Sequence, residues 1–340
     1  MAPIVPSVQT TVYSESGNYS NQLLRQGRGF AVYSPKPQRN LAPEYRKKGV
    51  SIGDVGTITP QGTFDYFFNI YLPADDPINA HIPDSFVPLP PYLVMDVIEE
   101  DFDPGDYVSS PSIHEINDGF SEPVPGGEFV FSCRGPNGAV LALPYGSHLE
   151  KLQSIAEMRR YARKHAESWY KHVNETRGRA LVNGSLYLIT GCEKAESWGI
   201  ATFHDVPGPN EFQLSFAPTT DVDHGHRYRW HAPYCRQKHA DSPAVVGTPL
   251  NQTTFIHAFA ISLGETLWGT LFGDVEICQL ADSSTFPEKS GRGFVPYGSQ
   301  GFSFVWSFSE AVQPVEENST LERRQHLKTL SYPMPLRFHR

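Results

Sequence analysis

Residues 147–173 contain neither proline nor glycine, and this run constrains the fold more than any other stretch. It opens on Ser147-His148-Leu149-Glu150, a capping-box pattern in which each end residue can satisfy the other's free backbone N–H. Leu152, Ile155, Ala162, Ala166, Trp169 and Val173 then recur at threes, fours and one seven, which places them on one helical face. The run predicts an amphipathic helix over 147–173, roughly 40 Å long at 1.5 Å per residue. After a turn at Asn183-Gly184, residues 185–190 and 198–203 read as two paired strands.

The rest of the chain is strand-like. Glycine (28) and proline (29) are both abundant in the 340 residues, and aromatics reach 12%, a composition of short strands and turns. Residues 49–60 predict a strand in close backbone contact with a neighbour, turning at Pro60-Gln61-Gly62. Phe64, Tyr66, Phe68, Ile70 and Leu72 alternate along the clearest strand. The long acidic, proline-rich stretch 73–126 must hold short strands, one near 93–98. Residues 129–133 and 139–143 predict a hairpin around Gly135-Pro136-Asn137-Gly138. Further strands are expected at 211–217, 228–230, 253–263, 273–280 and 302–308. A second capping box at Ser319-Thr320-Leu321-Glu322 starts a short basic helix.

The expected class is therefore α+β, mainly antiparallel sheet in a sandwich-like arrangement, with one long amphipathic helix and a short C-terminal helix. Residues 1–24 form a flexible N-terminal arm, 25–315 a single α+β domain, and 316–340 a C-terminal helix and tail.

Charge and cysteines limit the function classes. A net charge of -9 argues against nucleic acid as a partner, since neutralising phosphates needs a basic face. The predicted helix is locally basic, with Arg159, Arg160, Arg163, Lys164 and Lys171 outward or on its flanks. That strip is either a solvated helix face or a surface for an anionic membrane. No secretory signal and no run of eighteen apolar residues is present, and the four cysteines are widely spaced, so free thiols and a cytoplasmic location are expected.

Motifs for chemistry are sparse. His224, His226, His231, Cys235 and His239, with Asp221 and Asp223, have zinc-type donors but match no standard spacing, and a polar loop explains them as well. Cys192 ends one strand and His204 follows the next, a conceivable nucleophile and base, or a buried thiol and a surface imidazole. Neither a nucleophile elbow nor a phosphate loop occurs, and no cofactor is implied.

Three blocks resemble a large family of proteins from mushroom-forming (basidiomycete) fungi. The first runs from Glu44-Tyr45-Arg46-Lys47-Lys48 through Gly53-Asp54-Val55-Gly56 to Phe68-Asn69-Ile70. The second is Tyr161-Ala162 with Lys164-His165-Ala166-Glu167-Ser168-Trp169-Tyr170. The third is Asn183-Gly184-Ser185 through Thr190-Gly191-Cys192 with Ser197-Trp198-Gly199-Ile200-Ala201. The resemblance spans residues 25–280 and implies no activity and no residue role. Leu188-Ile189-Thr190-Gly191 with residues 198–203 is also similar to a strand pair in pore-forming proteins related to gasdermins and stonefish toxins. The first expectation is a soluble intracellular fungal binding or signalling protein with a protein or small-molecule partner. A membrane-binding or pore-forming protein of cell death or defence is the alternative, and an enzyme of unfamiliar type comes third.

Overall fold

A computed structural model describes residues 14–116, 127–206, 211–219, 227–241 and 250–272, all within a unit spanning residues 1–303. The strands expected at 273–280 and 302–308 and the helix expected from Ser319 lie outside the described residues, as do Cys278, His224 and His226. Among the described residues the chain is α+β with antiparallel pairing throughout three sheets, which pack face to face in sandwich fashion with the second between the first and the third.

The first sheet has seven strands. Its main path is β1 (Phe30–Ala31), β15 (Gln252–Ile261), β10 (Leu186–Ala195), β2 (Asp54–Ile58) and β3 (Phe64–Asn69). From β10 it also extends through β9 (Ser147–Leu152) to β4 (Val97–Phe102), which pairs with nothing else among the described residues. The close contact expected of the glycine-rich run is real. A Cβ on Gly56 would stand 2.4 Å from the Asp65 carbonyl oxygen and 2.5 Å from the Phe64 ring. All six residues of β3 are buried, so this strand is covered on both sides rather than on the one face its alternation suggested.

The helix is shorter than its pattern. Residues 147–152 form strand β9, and α3 runs only over Ala156–Lys171, about 24 Å, before one π turn at His172–Thr176. Ser147 caps nothing: its hydroxyl donates to Glu193 Oε1 at 2.7 Å and accepts from Arg28 Nη2. With β4 on one side and β10 on the other, the backbone of β9 is satisfied by strand partners. Leu152 is buried as a strand residue, Ile155 sits before the first helical turn, and the buried face of α3 is Met158, Ala162, Ala166, Trp169 and Tyr170. With Val173 they pack on Val55, Phe68, Leu186, Leu188 and Ile261.

The two expected strand pairs do not form. β11 (Ser197–Phe203) follows β10 after one residue, Glu196, yet it pairs with β8 (Gly138–Leu143) and β14 (Arg236–Asp241) in a second sheet. One residue is too short for a hairpin loop, so the chain steps from sheet to sheet. Likewise β7 (Phe129–Arg134) leaves β8 to pair with β12 (Glu211–Pro218) and β6 (Ile113–Glu115) in a third sheet, completed by β13 (Tyr228–His231). β5 (Asp106–Ser109) closes the other edge of the second sheet.

This middle sheet separates two cores by strict alternation. Leu141, Leu143, Trp198 and Ile200 face Ala31 and Phe255 of the first sheet, while Val140, Ala142, Ala201 and Phe203 face Phe131, Leu214, Phe216 and Trp230 of the third. Gly199 makes room for Phe216, whose ring carbon would lie 2.5 Å from a Cβ there. Trp169 and Trp198 are both buried, in different cores that each pack on the first sheet: Trp169 over Phe68 and Leu188, and Trp198 beside Phe255, with its Nε1–H donating to Gln252 of β15 at 2.8 Å.

The N-terminal arm is a structural element where it is described. Residues Glu15–Leu24 form α1, with the Ser14 hydroxyl accepting from the Gly17 N–H, and Tyr19 and Leu23 are fully buried between the first two sheets. Its burial rests largely on small polar residues, Ser16, Gly17 and Ser20, the last donating to the Ala31 carbonyl at 2.7 Å. A hydrophobic pattern search passes over such a face.

Candidate functional site

Burial decides the proposed nucleophile. Cys192 lies in β10 among Val32, Tyr45, Val50 and Ile256, and its thiol donates to the Val50 carbonyl. Burial pushes its pKa up to about 11, the opposite of an activated thiolate. His204 follows β11 in the second sheet, with Asp205 Oδ2 3.1 Å from its Nε2. The structure therefore gives the pair no shared strand and Cys192 no electropositive, open setting.

The histidine-rich loop is dispersed as far as it is described. His231 is exposed on β13 of the third sheet, His239 lies on β14 of the second, and Cys235 between them is held up at about 12 by burial. Cys133, Cys192 and Cys235 are free thiols. His231, Cys235 and His239 do not form a three-ligand group. Among the described residues the group that does is Glu99, His148 and Glu150, on β4 and β9.

The basic strip is where the helical spacing put it. Arg159, Arg160, Arg163 and Lys164 are exposed and Lys171 is half-buried. Glu157 pairs with Arg160 and Glu167 with Lys171, at 2.7 Å each, and the Arg159 guanidinium lies 5.2 Å from the Phe259 ring centroid. Arg163 and Lys164 extend from the same outer surface.

Beside this helix stands a feature that sequence reading missed. Leu93, Val94 and Met95 are 61%, 80% and 84% exposed, and Val87 and Ile98 are exposed as well. Val94–Asp96 is a 3-10 turn immediately before β4. It is tied to the start of α3, because the Gln153 N–H donates to the Asp96 carbonyl at 2.8 Å and the Ser154 hydroxyl to its carboxylate at 2.9 Å. Tyr161 on α3 donates to the Val87 carbonyl at 2.5 Å. The turn is thus held in place while it presents a run of large apolar side chains to solvent. The available signal was Leu93-Val94-Met95 itself, an apolar triplet that strand-like spacing would have buried.

Register sorts the charges near this turn. Ile98 lies opposite Lys151, which lies opposite Gly191 and through it His257; burial, then the Lys151 cation, pull His257 down to about 4. His257 shares its strand face with Phe259, on which Arg159 rests, so Ile98 and Lys151 are on the α3 side. Glu99, Asp101, His148 and Glu150 project from the opposite face.

Two polar groups, Arg28 half-buried and Asp54 fully buried, hold this frame. Arg28 donates to Glu193, Asp106 and Ser147 and stacks 3.6 Å from the Phe102 ring centroid. Burial works against its cation, but the two carboxylates outweigh that and hold its pKa above the usual value. Asp54, on the other face, accepts from Ser51 N–H, Asn69 Nδ2 and Tyr45 hydroxyl; burial nonetheless lifts its pKa to about 6. The chain matches no family model, no curated protein and no solved structure.

Proposed function

We propose that this is a cytoplasmic binding protein that docks on anionic membrane surfaces through the face shared by the Val94–Asp96 turn and α3. The observation that carries the reading is the juxtaposition of an apolar turn, Leu93, Val94 and Met95, with the exposed cations of the helix to which that turn is bonded. The two contributions are of similar size. Each exposed cation near an anionic bilayer contributes about 1 kcal/mol. Burying a Val, Leu or Met side chain contributes about 1.5–3 kcal/mol. Ion pairs to Glu157 and Glu167 offset two of the helix cations, so charge alone would dock weakly and the turn must also insert. No helix among the described residues is long and apolar enough to cross a membrane, so the docking inferred is peripheral.

Co-sedimentation with vesicles tests this. The protein should pellet with phosphatidylserine vesicles at low salt and be released as salt rises over the range that shortens the Debye length below about 8–10 Å. Charge reversal at Arg159, Arg160 and Arg163 should abolish pelleting, and so should Val94→Asp with Met95→Asp, each leaving the melting curve unchanged because the side chains are exposed. Absence of binding at low ionic strength, or binding that ignores both variants, overturns the reading.

A further inference from the structure

We infer that Glu99, His148 and Glu150 form a binding site for a divalent transition-metal ion, with Asp101 as a positioning residue for the histidine. One ligand atom from each of the three lies within 4.8 Å of the others. Around an ion bound at about 2.0–2.2 Å in tetrahedral geometry the ligand atoms stand about 3.4 Å apart, so the three need to draw together by at most about 1.4 Å to close the site. The scaffold is regular: Glu99 is directly opposite Glu150, and Asp101 directly opposite His148, in the β4–β9 ladder. All four side chains therefore share one face.

Two independent features favour a cation here over a solvated acidic edge. Glu99 and Glu150 are like charges in direct cross-strand register, an arrangement that destabilises a ladder unless something lies between them. Among the described residues no hydrogen bond or ion pair reaches either carboxylate. The second feature is the His148–Asp101 contact, Nδ1 to Oδ1 at 2.6 Å. A carboxylate on one ring nitrogen fixes the tautomer and leaves the lone pair of Nε2 for a metal, the usual outer-shell arrangement of a ligating histidine. One imidazole and two carboxylates suit zinc and its first-row neighbours better than calcium, which takes oxygen ligands. Three protein ligands on an open strand face leave at least one position to water. The ion would bridge the edge strand β4 to β9, replacing repulsion with a cross-strand clamp.

Zinc competition against a chromophoric chelator, on the full chain, tests the assignment. The wild type should hold one zinc equivalent more than Glu99→Gln or His148→Gln, and zinc should raise its melting temperature but not theirs. Glu99→Gln also removes the like-charge pair, so its metal-free form should melt no lower than wild type, which keeps the comparison meaningful if His148→Gln folds poorly. Asp101→Asn retains every ligand and should weaken zinc binding about 10–100-fold. If Glu99→Gln and His148→Gln retain the wild-type zinc complement, or the wild type takes up none, the site does not exist. If Asp101→Asn binds as the wild type does, the role given to Asp101 is wrong.

Discussion

Two residues separate what a sequence can disclose from what it cannot. Trp169 was legible, because helical spacing put it on the buried face, and it meets Phe68 edge-on with centroids 5.5 Å apart. Trp169→Ala should lower stability by about 3–5 kcal/mol, the usual cost of emptying a large aromatic site. Urea unfolding measures this, and a variant as stable as the parent would refute the packing described. Asp54 was not legible, because a carboxylate in a Gly-Asp-Val run gives no sign of burial until β2, β3 and the helix α2 (Pro43–Lys48) close over it. With its folded pKa raised from an ordinary value near 4 to about 6, the folded state holds the proton longer than the unfolded chain. Its contribution is then fully present below about pH 4 and lost as pH rises through about 6, on the order of 3 kcal/mol. Asp54→Asn should remove that slope from unfolding free energies measured between pH 4 and 7. An identical pH profile in the variant would show that Asp54 does not titrate as inferred.

Among elements, composition and spacing identified strands well and partners poorly. Residues 185–203 do form two strands, and so do 129–143, yet each pair is split between sheets. Nothing local distinguishes a hairpin from a step between sheets, since the choice depends on β15, β12 and β14, which lie about 30 to 80 residues beyond their partners β10, β7 and β11. The capping box at Ser147 misled for a related reason: strand partners and Glu193 satisfy that serine before any helix can. The α1 segment was missed because it buries serines and a glycine around only two large side chains, Tyr19 and Leu23. Leu23→Ala should therefore cost about 2–5 kcal/mol, as a core leucine does. A thermal melt indistinguishable from wild type would return residues 15–24 to the status of a loose arm.

At the scale of the molecule, the α+β class and the mainly antiparallel sheets followed from glycine, proline and aromatic content, whereas the candidate surface followed only in part. The cations of α3 were readable from helical phase; the apolar turn beside them was not, because its exposure depends on Asp96 being tied to Gln153 and Ser154. Register turns Glu99 and Asp101 to the face opposite Lys151 and leaves Glu100 on the Lys151 face, so one acid of this run remains beside the cations. Amide hydrogen exchange with and without phosphatidylserine vesicles tests the docking face most directly. The account predicts slowed exchange in residues 87–98 when vesicles are present, reversed by salt, with the third sheet unaffected. Vesicle binding that leaves residues 87–98 exchanging as in free protein would contradict it.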